Sequence, residues 1–406
     1  MTPERDPARP FSYLTVAAIG GGFFGVSVVW ALYNAYMPLL LGAFIESRAL
    51  RGAVMGLDNA FALALIPIIG AWSDGVRGSL GQRLPFIVVG MPLAALFVGL
   101  LPLQGTLWLL LGVDILFLLA MTLLRAPLIA LMPDHTPSEK RASANGVINF
   151  MGGLGGILAF FALAPLYDVA PRLPFLAAGG VLLLALVCLW LSAERHPPYT
   201  SPAEGRGNAL GSLLRGVKGL AGIEYRTARF TLFAVALYFV GFSGLEAQFS
   251  TYATEALGLS GGRAGVLLGM FSVSFVLFAL PAGFLGNRVG KARLMLAGLF
   301  SLTFLFTLAP LLTSSLPVFL FTAGLGWALV NVPAYALVAD LGGETRIGFF
   351  TGMYYLFSMT GAVVGPGLIG LAMDAFGAAS LFWGSAVAFL LAAGFLVAGA
   401  GFCRHA

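Results

Sequence analysis

The sequence predicts an all-α membrane protein of twelve transmembrane helices arranged as two six-helix, pseudo-symmetric halves. Three observations predict it. Of 406 residues, 59% are hydrophobic and only 10% are Asp, Glu, Lys or Arg, against about 25% charged in an ordinary soluble domain. The apolar residues fall in twelve long runs. Short polar motifs between the runs recur in the same order in the two halves of the chain. The first of these removes the charged coat that a soluble globule needs, and it excludes disorder as well.

An apolar helix crosses the hydrocarbon core in about 20 residues. The expected spans are 11–41, 53–73, 84–103, 107–132, 143–165, 174–192, 230–254, 264–285, 294–313, 316–339, 347–372 and 379–402. The runs are continuous rather than alternating, which disfavours a membrane β-barrel. The first run is too long for a signal peptide and reads as an uncleaved span. The polar stretch from Ser192 to Arg229 contains Pro197, Pro198 and Pro202. It reads as a linker (193–229) between an N-terminal bundle (1–192) and a C-terminal bundle (230–406). Its centre, 210–223, reads either as an amphipathic helix on the inner leaflet or as a plain tether.

Placing both termini in the cytoplasm puts 17 Lys and Arg on the inner segments and four outside, namely Arg48, Arg51, Arg172 and Arg263. That is the positive-inside bias of a multi-pass protein in the cell membrane. The net charge of +5 is therefore a marker of topology and not of nucleic-acid binding. Cys188 and Cys403 form neither a disulfide framework nor a metal spacing. With His135, His196 and His405 in loops or tails, the chain offers no metal, nucleophile or cofactor motif. It is not expected to be an enzyme.

The repeat is specific. After span two come Gly70, Ser73, Asp74, Gly81 and Arg83; after span eight come Gly283, Gly286, Asn287, Arg288, Gly290 and Lys291. After span four come Pro133, Asp134, Arg141 and Gly146; after span ten come Ala339, Asp340, Arg346 and Gly352. The two motif pairs lie 213 and 206 residues apart. Six helices repeated in parallel are the plan of the two halves of a major facilitator transporter.

The loops resemble that superfamily's signature, G-x-x-x-D-R-x-G-R-R, with Gly75 and Gln82 in place of basic residues and Asn287 in place of the second aspartate. The resemblance implies that Asp74, Arg83, Asp134, Arg141, Arg288 and Asp340 form gates at the inner face. A narrower resemblance is carried by Gly81-Gln82-Arg83-Leu84-Pro85-Phe86-Ile87, by Arg125 to Gly156, by Gly244 to Ser260 and by Thr351 to Ser358. These are similar to the sucrose-transporter-like members of the glycoside–pentoside–hexuronide cation symporter group. That likeness implies a sugar substrate of the sucrose or maltose type moved with a proton, a bilayer environment and a monomer. Sodium in place of the proton, and export of apolar compounds in place of sugar uptake, are the alternatives.

Four charged residues lie within the spans: Asp58, Asp114, Arg125 and Glu246. Each costs several kcal/mol at membrane depth, roughly 2.5–3.5 on insertion scales, so a function or an interior partner is expected. At ~1.5 Å per residue the three acids come ~8 Å to the outer side of their span centres and Arg125 ~8 Å to the inner side. Asp114 and Arg125 share a helix face but lie ~16 Å apart along it. Asp114 is the chosen coupling acid, because such a carboxyl can hold and release a proton near neutral pH. The resemblance ties the aspartate at this spacing to proton and sugar, and the arginine to substrate handling. Arg125 reads equally as a brace, Glu246 as substrate ligand, second proton site or helix-packing bond. Asp58, with Asn59 beside it, reads as a proton site or, preferably, as a contact with span eleven.

Sugars are held by aromatic platforms with hydroxyl-directed polar groups. Trp30 and Asn34 stand four apart on span one, next to Tyr33, and Trp327, Asn331 and Tyr335 repeat that spacing on span ten. Gln248 on span seven and Tyr354 and Tyr355 on span eleven complete the candidate substrate contacts.

Overall fold

The computed structural model describes residues 12–193, 199, 225–311, 315–342 and 346–402. Among them every regular element is helical. Twelve helices are long and apolar enough to span a membrane. In chain order they are α1 (Tyr13–Gly42), α2 (Arg48–Gly75), α3 (Leu84–Leu103), α4 (Leu107–Asp134), α5 (Ser143–Val169), α6 (Arg172–Ser192), α7 (Arg226–Glu255), α8 (Gly261–Val289), α9 (Lys291–Leu311), α10 (Leu316–Asp340), α11 (Phe349–Phe376) and α12 (Ser380–Gly399). The expected count holds. The amphipathic segment anticipated at 210–223 lies outside the described residues.

Boundaries differ most where charge masks a helix. Hydropathy starts the second span at residue 53, yet α2 begins at Arg48. Ser47 caps it, its hydroxyl accepting the Leu50 N–H at 3.3 Å, so one of the four orphan donors of the first turn is met. Arg48 and Arg51, which lower the hydropathy, both pair with Glu255. At α5 a short π-helical stretch, Ala159–Leu163, carries the chain to Val169, past the expected end at 165. Pro67, Pro127, Pro333 and Pro366 all stand inside helices, where each removes one backbone donor.

The helices gather into two compact units that do not follow the linear halves. One comprises Met1–Ala31, Ala64–Ala159 and Pro171–Gly207; the other Leu32–Leu63, Phe160–Ala170 and Asn208–Ala406. The cuts fall inside α1, α2 and α5. The α1–α2 corner and the end of α5 therefore pack with α7–α12 rather than with the helices they continue.

Small residues make that packing possible. In the second unit, a Cβ on Gly52 would fall 2.0 Å from the Pro366 carbonyl oxygen, and one on Gly56 2.3 Å from that of Val363. The start of α2 therefore lies backbone to backbone on α11, as small-residue seams in membranes permit. Gly52→Ala is expected to cost about 1–3 kcal/mol through overpacking. Gly21, with nothing within 4 Å of its added Cβ, supplies the control. A lowered thermal midpoint for Gly52→Ala in detergent, beside an unchanged one for Gly21→Ala, is the expected pair of results.

Candidate functional site

Within the second unit, α7 carries the acid with the most polar company. Gly244 seats α7 on Ile369 of α11, and Gly241 seats it on Phe389 and the Ser385 carbonyl of α12. With its back fixed there, Glu246 is held in register. Its Oε1 accepts a hydrogen bond from Asn34 Nδ2 of α1 at 3.2 Å. Asp58 on α2 lies within electrostatic reach of Glu246, and Asn59 Nδ2 donates to Asp58 Oδ1 at 2.5 Å. Three helices thus bring together Asn34, Asp58, Asn59 and Glu246. All four keep part of their surface accessible while Leu32, Tyr33, Ala35, Leu245 and Ala247 around them are buried. Two carboxylates flanked by amides can bind a proton, and they can accept hydrogen bonds from a hydroxylated ligand.

A second polar group lies on α7, α10 and α11. Tyr238 and Tyr354 share a hydroxyl contact at 3.5 Å, and the Tyr354 hydroxyl donates to Asn331 Oδ1 at 3.5 Å. The Tyr335 ring meets those of Tyr354 and Tyr355 at 5.5 and 6.4 Å. Tyr335 and Tyr355 are exposed, whereas Tyr354 is buried. Four of the expected sugar contacts are therefore neighbours. Tyr238 stands eight residues before Glu246 on α7, ~12 Å along the axis.

Two expected substrate contacts are engaged otherwise in this conformation. Trp327 stacks on Phe242 at 3.9 Å and meets Tyr238 and Phe239 edge-on. It is 4% exposed, so one ring face is already covered. Gln248 is buried, and its Nε2 donates to the carbonyls of Arg48 at 2.9 Å and Pro366 at 3.2 Å. That amide ties α7 to α2 and α11.

The first unit holds Asp114, Arg125 and Trp30. Asp114 is wholly buried on α4. Trp30 meets Phe117, three residues further along α4, edge-on at 5.8 Å. Arg125 is partly buried on the same helix.

The motif residues of this unit form one cluster. Arg83 Nε donates to Asp134 Oδ2 at 2.9 Å, and its guanidinium also pairs with Asp74 and bonds the Ser73 hydroxyl. Arg83 and Asp134 are both buried. Arg141 reaches the Thr136 and Pro133 carbonyls at 3.3 and 3.4 Å, closing the end of α4. In the second unit the corresponding pair is Lys291 with Asp340. The exposed Arg288 is not the partner of Asp340 there. Of the gate residues named in this half, Asp340 has Lys291 as its cation.

Sequence reasoning passes over one network. Arg51 is 5% exposed; its guanidinium bonds Glu255 Oε1 at 2.6 Å and the Ile45 and Glu46 carbonyls at 2.7 and 3.0 Å. Arg48 reaches Glu255 Oε2 at 2.8 Å. In the sequence both arginines count only as markers of topology. The signal that could find them is the acid at the end of an otherwise apolar span.

Comparison with known proteins agrees with the fold. The human protein Solute carrier family 45 member 3 is 32% identical over 210 residues, 45% of this chain, and the match spans only 37% of that relative's length. Multidrug resistance protein 2 of Bacillus subtilis is 24% identical over 356 residues, 82% of this chain and 84% of that one. Among solved structures, the nucleoside transporter NupG superposes with a TM-score of 0.76 at 15% identity, covering 95% of this chain and 99% of that one. A bacterial homologue of the human lysosomal transporter Spinster, in its inward-facing and unoccupied conformation, gives 0.72 at 18%, covering 97% and 96%. A family model described as Major Facilitator Superfamily matches residues 19–260 and 231–402. With twelve membrane-spanning helices and that match over nearly its whole length, the chain belongs to the Major Facilitator Superfamily of membrane transporters.

Proposed function

We propose that the protein is a symporter that carries a sugar, of the sucrose or maltose glucoside type, into the cell together with a proton, by alternating access. It acts as a monomer in the cell membrane with both termini in the cytoplasm. Asp114 is the coupling acid. Glu246 and Asp58 are further proton sites, and Glu246, Asn34 and Asn59 bond substrate hydroxyls. Asn331, Tyr354 and Tyr355 supply aromatic faces and hydroxyl partners, and Trp30, Trp327, Gln248 and Arg125 are the further substrate contacts of this reading. The observation that carries the reading is the Asn34–Glu246 hydrogen bond with Asp58 close by, partly accessible within spans that are otherwise apolar. Intramembrane acids with polar company mark ion and ligand pathways.

Uptake of a panel of labelled sugars into proteoliposomes, under an imposed proton or sodium gradient, tests it. A disaccharide accumulated on the proton gradient is the expected result; accumulation on sodium alone would replace the coupling ion. Glu246→Gln keeps the shape but not the charge. It is expected to weaken sugar affinity about tenfold, the loss of one hydrogen bond to a charged group. An unchanged affinity would leave Glu246 a packing role.

A second reading, export of apolar compounds coupled to protons, is favoured by the Phe242–Trp327 stack flanked by Tyr238 and Phe239. The name and the 82% coverage of Multidrug resistance protein 2 favour it too. Efflux of a lipophilic dye, with no uptake of any disaccharide, would establish it in place of the first.

A further inference from the structure

The motif offsets of 213 and 206 residues also hold at the opposite helix ends, where the sequence carries no signature motif. Adding 213 to Ser47 gives Ser260, and adding 206 to Asp168 gives Asp374. Each serine immediately precedes its helix, α2 or α8, and each aspartate stands near the end of α5 or α11. The contacts between them are crossed. Asp374 of α11 accepts the Ser47 hydroxyl at 2.8 Å and the amides of Arg48 and Ala49, each at 3.0 Å, in the first turn of α2. Asp168 of α5 accepts the Ser260 hydroxyl at 2.7 Å and the Gly262 amide at 2.8 Å, in the first turn of α8. In both places an acid from one sequence half caps a helix of the other half.

The physics of the two caps is the same. A carboxylate at a helix start meets orphan N–H donors and the positive end of the helix dipole. Beneath each cap the glycines repeat as well. Gly52 and Gly56 meet Pro366 and Val363 of α11; their counterparts at 213 residues, Gly265 and Gly269, meet Ala164 and Phe160 of α5. Added Cβ atoms there would stand 2.6 and 2.9 Å from those two side chains. A cap that merely stabilised its own helix would come from the neighbouring residues of that helix, as the N-cap serines already do. These acids instead join helices that belong to opposite repeats.

We propose that the crossed caps are the two arms of a latch that holds this end of the protein shut, and that both arms must break when the end opens. The arms are unequal. The α2 arm is seconded by the Arg48 and Arg51 ion pairs with Glu255, whereas the counterparts of those arginines 213 residues on, Gly261 and Ala264 in the α8 arm, carry no charge. Loss of Asp168 therefore opens the end more than loss of Asp374. The inference rests on the transport reading only in requiring that this end open at all.

Thr251, fully buried on α7 one turn before Glu255, supplies the reporter. Thr251→Cys is made with Cys188→Ser and Cys403→Ser, and the full chain in liposomes is exposed to a membrane-impermeant maleimide with no substrate present. Asp168→Asn is expected to raise the labelling rate about tenfold, the usual worth of one cap converted to an equilibrium factor. Asp374→Asn raises it less, unless Arg51→Gln is added. Ser47→Ala and Ser260→Ala give smaller rises in the same direction. Ala178→Cys, buried on α6, reports general unfolding. Labelling of Thr251→Cys that stays at the parental rate in both aspartate variants, or that rises only in step with Ala178→Cys, would overturn the latch. No sugar or gradient enters the assay, so a wrong substrate assignment leaves the labelling result unaffected.

Discussion

Asp114→Asn is expected to abolish uphill uptake on a proton gradient while leaving downhill equilibration of substrate in place. The asparagine matches the aspartate in size and keeps its capacity to hydrogen-bond, so α4 should fold unchanged. What it loses is the ability to ionise. Asp114 is wholly buried, and an ionised carboxylate in such surroundings is costly unless a partner or a proton neutralises it. A protonation equilibrium there is accordingly coupled to whatever changes its surroundings, which is the requirement for a coupling residue. The effect is larger than for Glu246, whose partly accessible position and neutral Asn34 partner suit a graded role in binding. Concentrative uptake in vesicles, compared with counterflow in the same preparation, checks it. Uphill transport that survives in Asp114→Asn would remove this residue from the coupling step and leave Glu246 and Asp58 as the remaining acids.

The twelve helices are legible because a span declares itself through length and greasiness, which are local properties. The boundaries fail where a charged residue is satisfied from far away. Arg48 and Arg51 lower the hydropathy of the first turn of α2, and only the fold brings Glu255 from more than 200 residues on to meet them. The inner motif residues are legible because they cluster in short loops. Arg83, Asp74 and Asp134 meet at one end of the first unit, and Asp340 takes Lys291 in the second. Lys291 stands one residue after Gly290, whereas Arg83 stands two after Gly81, so the spacing of the first copy does not pick it out. The candidate site divides in the same way. The intramembrane acids are visible as isolated charges in apolar runs. The covered face of Trp327 is not, since an aromatic residue on a helix carries no record of which ring will stack on it. The compact units are hidden too. A linear chain invites a cut at its polar linker, whereas Gly52, Gly56 and Gln248 bind the first turns of α2 to α7 and α11.

The repeat itself gives the sharpest stability contrast. Arg83 and Lys291 pair with the corresponding aspartates of the two halves, yet Arg83 is 9% exposed and faces a buried Asp134. The Lys291–Asp340 pair is open to water, with side chains 25% and 61% exposed. Removing one member of a buried ion pair leaves an uncompensated charge, at a cost of about 3–5 kcal/mol. An exposed pair contributes about 0–1 kcal/mol. Arg83→Gln should therefore lower the thermal midpoint steeply, whereas Lys291→Gln should scarcely move it. Arg83→Lys should fall between them, because an ammonium keeps the charge but cannot serve Asp134, Asp74 and Ser73 at once from the fixed geometry of a guanidinium. The double variant Arg83→Gln with Asp134→Asn should recover part of the loss, since it removes the stranded carboxylate. Heat denaturation of the purified protein in one detergent ranks all four. Equal losses for Arg83→Gln and Lys291→Gln would mean that burial does not set the strength of this motif, and that the two halves close their loops by the same energy despite the difference in exposure.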